Sequence, residues 1–411
     1  MRLETGRSAI SPAPDELRAL QLAKLRAGLT QVLATNAFWR ERLHGVSGWD
    51  DFERLPLTTK AELLADQASH PPFGTNLTFP ADRYVRLHQT SGSSGDQPLR
   101  WLDTVESWEW WERIWAEHVY GAAGLTAEDR VFFAFSFGPF IGFWSAFGGA
   151  QRLGALCVSG GAMTTEQRVR NMLDVGATAL LCTPTYALRM ADVANAIGVN
   201  LSAASIRTTI HAGEPGASIP STRAAIEAAY SAVSFDHTGM TELGPTGHSC
   251  SQRDGVHLIE SEFIFEVAED GELIATNLGR WGMPLFRYRT GDRVTVSRDE
   301  CSCGSPFLKV VGGIRGRVDD MFTVRGVNLY PSQVEDIVRR HPEVTEFVIE
   351  RRTERQMDEV TLLVESSTAS FETDRLEADL RQALGVRLEC SVVPPGTLPR
   401  AELKSKRLVR R

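Results

Sequence analysis

Residues 131–151 read VFFAFSFGPFIGFWSAFGGAQ, twenty-one positions without a charge. A run of that length has to leave water, either across a bilayer, which it is long enough to span, or inside a large core. Gly138 and Pro139 interrupt it in the middle, Gly142, Gly148 and Gly149 thin the remainder, and no basic cluster flanks it. Such breakers favour a buried strand over 130–137, a Gly-Pro turn and then a buried helix. Seven phenylalanines and one tryptophan in so short a run exceed simple packing needs. A helix start lined by Phe137, Phe140, Phe143 and Trp144 suits the wall of an apolar pocket.

The neighbouring segments repeat this strand-then-helix grammar. LRALQLAKLRAGLTQVLATNAFWRERL is amphipathic at helical spacing, with Leu20, Leu25, Leu29 and Leu33 expected on one side. RVFFAFSF, ALLCTP and IRTTIHAG read as short buried strands, each followed by a helix-like stretch. That pattern predicts a parallel sheet covered by helices. Past Gly255 the texture changes: HLIESEFIFEVAEDGELIATNL alternates apolar and polar residues around an EDGE turn, which predicts an antiparallel, barrel-like segment. The last stretch, from about residue 317, reads as a strand, the helix NLYPSQVEDIVRRH, the strands VTEFVIERR and VTLLVES, then a helix and a strand. The expected fold is α/β, with a large N-terminal domain over 1–317 and a small α+β domain over 318–411. A chain of 411 residues has room for both.

A net charge of -8 argues against a general nucleic-acid binder. The first residues contain no apolar signal region, and the six cysteines of so long a chain do not form a disulfide framework. A cytoplasmic protein without a membrane partner is expected; the oligomeric state stays open, a homodimer included.

The strand-like YVRLHQT leads into TSGSSG. Backbone N–H groups and hydroxyls in a glycine-permitted turn are the means by which loops cradle phosphate, although the Gly-Lys-Ser/Thr ending of a Walker loop is missing. By itself this composition also suits a flexible linker. Four further stretches follow in order: HAGEP (211–215), FDHTGMTELGP (235–245), FRYRTGD (286–292) and GRVDDMFTVRGVNLYPSQVE (316–335), with LPRAELKSKR (398–407) at the end. Together they resemble the adenylate-forming superfamily of acyl-CoA synthetases and adenylation domains, and within it the phenylacetate–CoA ligases, whose traits include the LPLTTKAELLAD lead-in and the GEP step. The resemblance runs from about residue 25 to the C-terminus.

It implies two half-reactions. A carboxylic acid attacks ATP to give an acyl-adenylate and pyrophosphate, and an acceptor, usually coenzyme A, then displaces AMP. Thr90, Ser91, Gly92, Ser93, Ser94 and Gly95 would hold pyrophosphate oxygens, with Gly213, Glu214, Pro215 and Arg317 as further nucleotide contacts. Glu242 is a hard oxygen ligand for Mg²⁺, Thr241 would bond the α-phosphate, and Asp292 would accept from the ribose hydroxyls. His237, Thr238 and Gly239 join the four aromatics as the acid pocket. Lys404 would bring charge to the reacting phosphorus; Lys406 is its rival. The resemblance further implies a mobile small domain with its hinge at Asp319. Each residue also has a plainer reading: Glu242 as a helix N-terminal carboxylate, Asp292 as the shaper of a turn, Lys404 as part of a solvated basic tail. The sequence departs from the family at Thr238, where tyrosine is usual. It also departs in the lysine-free GDQP, where Asp96 places a negative charge that Arg100 is positioned to offset, and at Leu403, where glycine usually precedes the lysine. An amine or a carrier-protein thiol as acceptor, and a nucleotide-binding homologue without turnover, are the alternative readings.

Cys250 and His257 flank the turn at Asp254 and Gly255, and Cys301 and Cys303 form a C-x-C. Three thiolates and an imidazole across the hairpins of 248–304 make the closed tetrahedral set of a structural zinc site, with His248 as the rival imidazole. Four unlinked residues, their thiols packed as small hydrophobes, are the plain alternative.

Overall fold

The first regular element is the helix Asp15–Thr35. The structure is a computed structural model and describes residues 13–90, 97–324, 327–354, 357–368, 371–400 and 406–410. Leu25 and Leu29 enter the core, but Leu20 is 42% exposed. At about 100° per residue, Leu20 stands roughly 140° round the helix from Leu25. The buried face runs instead through Gln21, Leu25, Gly28, Leu29 and Val32. Gln21 tolerates burial because its amide donates to the carbonyls of Glu260 and Phe263 at 2.9 and 2.8 Å.

The uncharged run divides as expected into strand, turn and helix, with the strand shorter than expected. It covers Arg130–Phe133, and the helix covers Gly142–Leu153. The strand's register with Leu156–Ser159 and Ala179–Cys182 ends at Phe133, and beyond it Ala134 adds a single N–H bond to the Leu181 carbonyl at 2.9 Å. Among the described residues no helix is long and apolar enough to cross a membrane.

These strands belong to a nine-stranded sheet. Leu156–Ser159, Arg130–Phe133, Ala179–Cys182, Thr208–His211 and Val233–Met240 pair in parallel, in that order. On the far side of Val233–Met240 every pairing is antiparallel, through Gly244–His248, Gly255–Leu258, Lys309–Val311 and Val296–Ser297. The antiparallel part therefore begins before Gly255, earlier than the alternation of side chains announced, because the polar stretch 235–248 is itself a hairpin. The sheet changes from parallel to antiparallel pairing at the strand Val233–Met240.

A second sheet runs Phe263–Val267, Glu272–Asn277, Tyr288–Arg293 and Gly316–Arg317, all antiparallel, with EDGE as its first turn. Arg287, just before the third strand, has φ +45°, an uncommon region for a non-glycine residue. Its guanidinium is buried, pairs with Glu266 at 2.7 and 2.9 Å, and donates to the Glu53 carbonyl at 2.7 Å. Thr58 then bridges Tyr288, with its N–H on the Arg287 carbonyl. The segment before the helix Lys60–Ser69 is thus pinned to this sheet, and a Thr59–Glu62 capping box starts the helix there.

The last four-stranded sheet orders Glu389–Val393, Met357–Ser366, Val344–Glu354 and Leu408–Arg410. With the helices Pro331–Val338 and Thr373–Leu384 it closes its own core around Phe347, Leu362, Val364, Leu376 and Leu380. It meets the rest of the chain where Asp336 accepts the Ser221 N–H at 3.2 Å, between the helices Pro331–Val338 and Pro220–Tyr230.

Candidate active site

The strand Val233–Met240 ends in a tight turn carrying Thr241 and Glu242, and the chain returns as Gly244–His248. No helix starts here, so helix-dipole stabilisation does not account for Glu242. Its carboxylate is nearly buried and lies 3.7 Å from the Lys60 ammonium, at the first turn of Lys60–Ser69. The Tyr288 phenol adjoins it; burial and then the Glu242 charge push that phenol well above its ordinary pKa. Asp292 and Arg317 face each other in register on adjacent strands, with Arg317 Nη1 3.4 Å from Asp292 Oδ1 and 3.2 Å from the Thr290 carbonyl. Asp292 sits in the strand Tyr288–Arg293 rather than shaping a free turn. Gly291 beside it has φ +78°, a conformation that favours glycine. Glu242, Asp292 and Arg317 all act electrostatically on Tyr288, which places them around one spot. A hard carboxylate with a lone cation nearby is a donor suited to Mg²⁺.

The TSGSSG loop joins the strands Tyr84–Gln89 and Arg100–Thr104 of a hairpin. Thr90 anchors its start, its N–H on the Leu99 carbonyl and its hydroxyl accepting the Leu99 N–H. Ser91, Gly92, Ser93, Ser94, Gly95 and Asp96 lie outside the described residues. Arg100 donates from its exposed guanidinium to the Pro72 carbonyl at 2.9 Å; its expected partner Asp96 lies outside the described residues. A cation does stand near the turn, in Lys60, which motif reasoning passed over. The capping-box pattern Thr59-x-x-Glu62 was the signal that fixes its place.

HAGEP follows the strand Thr208–His211. Gly213 has φ +96°, and the Glu214 carboxylate accepts the Thr185 N–H at 2.9 Å, in the first turn of the helix Pro184–Ala196. Asp236 is buried, and burial pushes its carboxyl up to about 6 against the opposing Ser218 hydroxyl and His237 N–H. Thr238 bonds Thr246 at 3.1 Å, so a small hydroxyl pair fills the position where an aromatic ring is usual in the resembled family.

Phe137 packs edge-on against Trp144 at 4.6 Å and against Phe147 at 5.5 Å, and Trp144 Nε1 donates to the Gly138 carbonyl. Phe140 is 43% exposed. Phe143 lies in the same helix. His237 lies at 4.2 Å under Trp115, which belongs to the cluster against which Phe137 and Phe147 also pack, and burial lowers the His237 pKa to about 3. Its Nδ1 finds no partner among the described residues.

Cys250, His257, Cys301 and Cys303 converge, with one ligand atom from each within 4.8 Å of the others. Cys250 and Cys301 sulfurs are 3.9 Å apart, and Cys303 Sγ is 3.5 Å from His257 Nε2. His257 Nδ1 donates to the Phe307 carbonyl at 3.1 Å, an arrangement that leaves Nε2 free as a ligand. His248 is outside the cluster, its Nδ1 on the Ser249 carbonyl. Burial and then the neighbouring thiols push Cys303 up to about 11, so three thiolates need a cation to coexist here.

Lys404 lies outside the described residues. Lys406 is exposed. Arg407 is buried on Phe347 and Glu346, and Glu214 of the HAGEP stretch is near enough for its charge to act on it. Asp319 is exposed, 3.7 Å from Arg317 Nη2.

Residues 326–411 match the family described as the AMP-binding enzyme C-terminal domain. The phenylacetate-coenzyme A ligase of Thermus thermophilus is 29% identical over 94% of this chain and 95% of its own length. That of Escherichia coli is 27% identical over 96% and 94%. Among solved structures, 2-hydroxyisobutyryl-CoA ligase, 28% identical, superposes with a TM-score of 0.91 over 97% of this chain and 90% of that one in its postadenylation state. In its thioesterification state the TM-score is 0.71.

Proposed function

We infer that this chain, an adenylate-forming enzyme of the acyl-CoA ligase superfamily similar along its length to phenylacetate-coenzyme A ligases, joins an aromatic or hydrophobic carboxylic acid to AMP and passes the acyl group to coenzyme A. The observation that carries the reading is the convergence of Glu242, Lys60, Asp292 and Arg317 beyond the switching strand.

In the first half-reaction a carboxylate oxygen of the acid bonds to the α-phosphorus of ATP, and the α–β bridging oxygen departs with pyrophosphate. Little covalent chemistry is asked of the protein; it positions and neutralises. Thr90 to Gly95 would hold the departing oxygens, Thr241 the α-phosphate, Asp292 the ribose hydroxyls with Arg317 beside it, and Gly213 to Pro215 the base. Mg²⁺ bound at Glu242 would supply positive charge to the triphosphate. Lys60 adds a second charge, standing in for the lysine that the phosphate loop lacks. Lys404, on the segment before Arg407, would meet the charge developing on the phosphorus. In the second half-reaction the coenzyme A sulfur adds to the acyl carbon, the acyl–oxygen bond breaks, and AMP leaves.

The aromatic wall of Phe137 and Trp144 supports a flat apolar acid. The Cys250–His257–Cys301–Cys303 set has four ligands, none left for water, and so fits a structural zinc ion. The boundary between the two domains is placed at 317/318, supported by the separate core of the last sheet. Pyrophosphate release from ATP, measured across a panel of aromatic, aliphatic and hydroxy acids, tests the reading. Release confined to apolar acids supports it, and no release with any acid would leave only a nucleotide-binding homologue.

A further inference from the structure

One buried ion pair belongs to none of the groups assigned so far. Arg280 and Asp103 are both completely buried. Arg280 Nε and Nη2 grip the two carboxylate oxygens at 2.6 Å each, and the guanidinium lies between the rings of Trp101 and Trp111 at 5.3 and 5.0 Å. Burial by itself would raise the Asp103 carboxyl; the Arg280 charge together with hydrogen bonds from His88 and Arg280 outweighs this and holds it below the usual carboxylate range. As a stabilising device the pair is a poor choice: removing two charges from water costs several kcal/mol each, and apolar residues of similar volume often serve as well.

Its remaining arm gives it another use. Arg280 Nη1 donates to the Thr241 carbonyl at 2.5 Å and to the Glu242 carbonyl at 3.2 Å. Asp103 sits on the strand Arg100–Thr104, one leg of the hairpin that carries the TSGSSG loop. A single planar guanidinium therefore joins the two pieces of chain expected to meet opposite ends of the triphosphate. Its forked donors fix both distance and angle, which a lysine ammonium does not do.

We propose that Arg280 is a positioning residue for adenylation, fixing the Thr241–Glu242 turn against the strand Arg100–Thr104 so that the turn meets the Mg²⁺-bound triphosphate in one set place. This rests on the proposed function. Once pyrophosphate has gone only the Thr241 contact to the α-phosphate remains, so transfer from a finished acyl-adenylate depends on it less than adenylation does.

The test measures binding and the two half-reactions separately. Calorimetry should show Arg280→Lys weakening the affinity for Mg²⁺ with α,β-methylene-ATP by roughly tenfold to a hundredfold, as loss of one or two charge-assisted hydrogen bonds does, while AMP, which keeps only the Thr241 contact and not the Mg²⁺-bound phosphates, loses clearly less. Adenylation should slow by about 10², the cost of a small misplacement. Transfer to coenzyme A from supplied acyl-adenylate should persist. Asp103→Asn, which keeps the shape, should shift the same quantities less. Equal loss for AMP and the ATP analogue, equal slowing of both half-reactions, or failure of both variants to fold would overturn the positioning role in favour of a structural one. Parent protein that binds no Mg²⁺-nucleotide would contradict the proposed function itself, whereas parent and Arg280→Lys binding it equally contradicts only this inference.

Discussion

Individual side chains at the site differ in how far the sequence announced them. Asp292 and Arg317 sit in short motifs, and the structure sets them opposite each other at 3.4 Å. Lys60, Tyr288 and Arg280 come from separate segments, and nothing local says that they share neighbours; only the folding of residues 53–60 onto the strand Tyr288–Arg293 brings Lys60 to Glu242. Adjacency in sequence likewise said nothing of the Pro72 carbonyl that takes one N–H of Arg100. At this scale the ribose contact is the sharpest claim. A contact made equally in ground and transition states acts mainly on the Michaelis constant, so Asp292→Ala should raise the constant for ATP with little change in turnover. An unaltered constant with normal turnover, in initial-rate measurements over a range of ATP, would show that Asp292 does not face the nucleotide.

Elements were legible wherever one period dominated. Short buried strands such as Ala179–Cys182 follow from continuous apolar runs and the EDGE hairpin from side-chain alternation. The hairpin of Val233–Met240 with Gly244–His248 was hidden because it is buried on both faces and built largely from Gly, Thr, His and Pro. That pair and its neighbours hold histidines out of water. His237 is neutral because burial lowers its pKa to about 3, so unfolding binds a proton below the ordinary histidine value of about 6.5. Stability is then lost as pH falls through this window. His237→Gln removes one proton from the linkage, and its unfolding free energy relative to the parent should change by about 1.4 kcal/mol per pH unit between roughly pH 6 and 4. A difference that stays constant with pH in urea titrations would mean that His237 is charged in the folded state. The hairpins of 248–304 carry the other claim at this scale. If they close on zinc, purified protein should contain about one zinc per chain, and Cys301→Ser should lower both metal content and melting temperature. Metal-free protein with unchanged melting would sink the site.

For the whole molecule, the alternation of strands and helices announced two layered bodies, but not their mutual arrangement, which depends on contacts such as Asp336 with the Ser221 N–H. The arrangement superposes better on the postadenylation state of 2-hydroxyisobutyryl-CoA ligase than on its thioesterification state, 0.91 against 0.71, which supports a small domain that turns between steps. Lys404→Ala should then slow adenylation by roughly 10²–10³, as loss of one preorganised charge contact does, and spare transfer from supplied acyl-adenylate. Asp319→Pro, which fixes φ at the proposed hinge, should do the reverse; equal impairment of both steps by Lys404→Ala would move the catalytic charge elsewhere, with Lys406 first in line. The central claim is that a carboxylate oxygen of the acid becomes bonded to phosphorus. Turnover of an acid labelled with ¹⁸O in its carboxylate, with ATP and coenzyme A, followed by mass spectrometry of the nucleotide, tests that bond directly. One ¹⁸O in the phosphate of AMP is the expected result; AMP without label, or label in inorganic phosphate with ADP as the nucleotide product, would contradict the account.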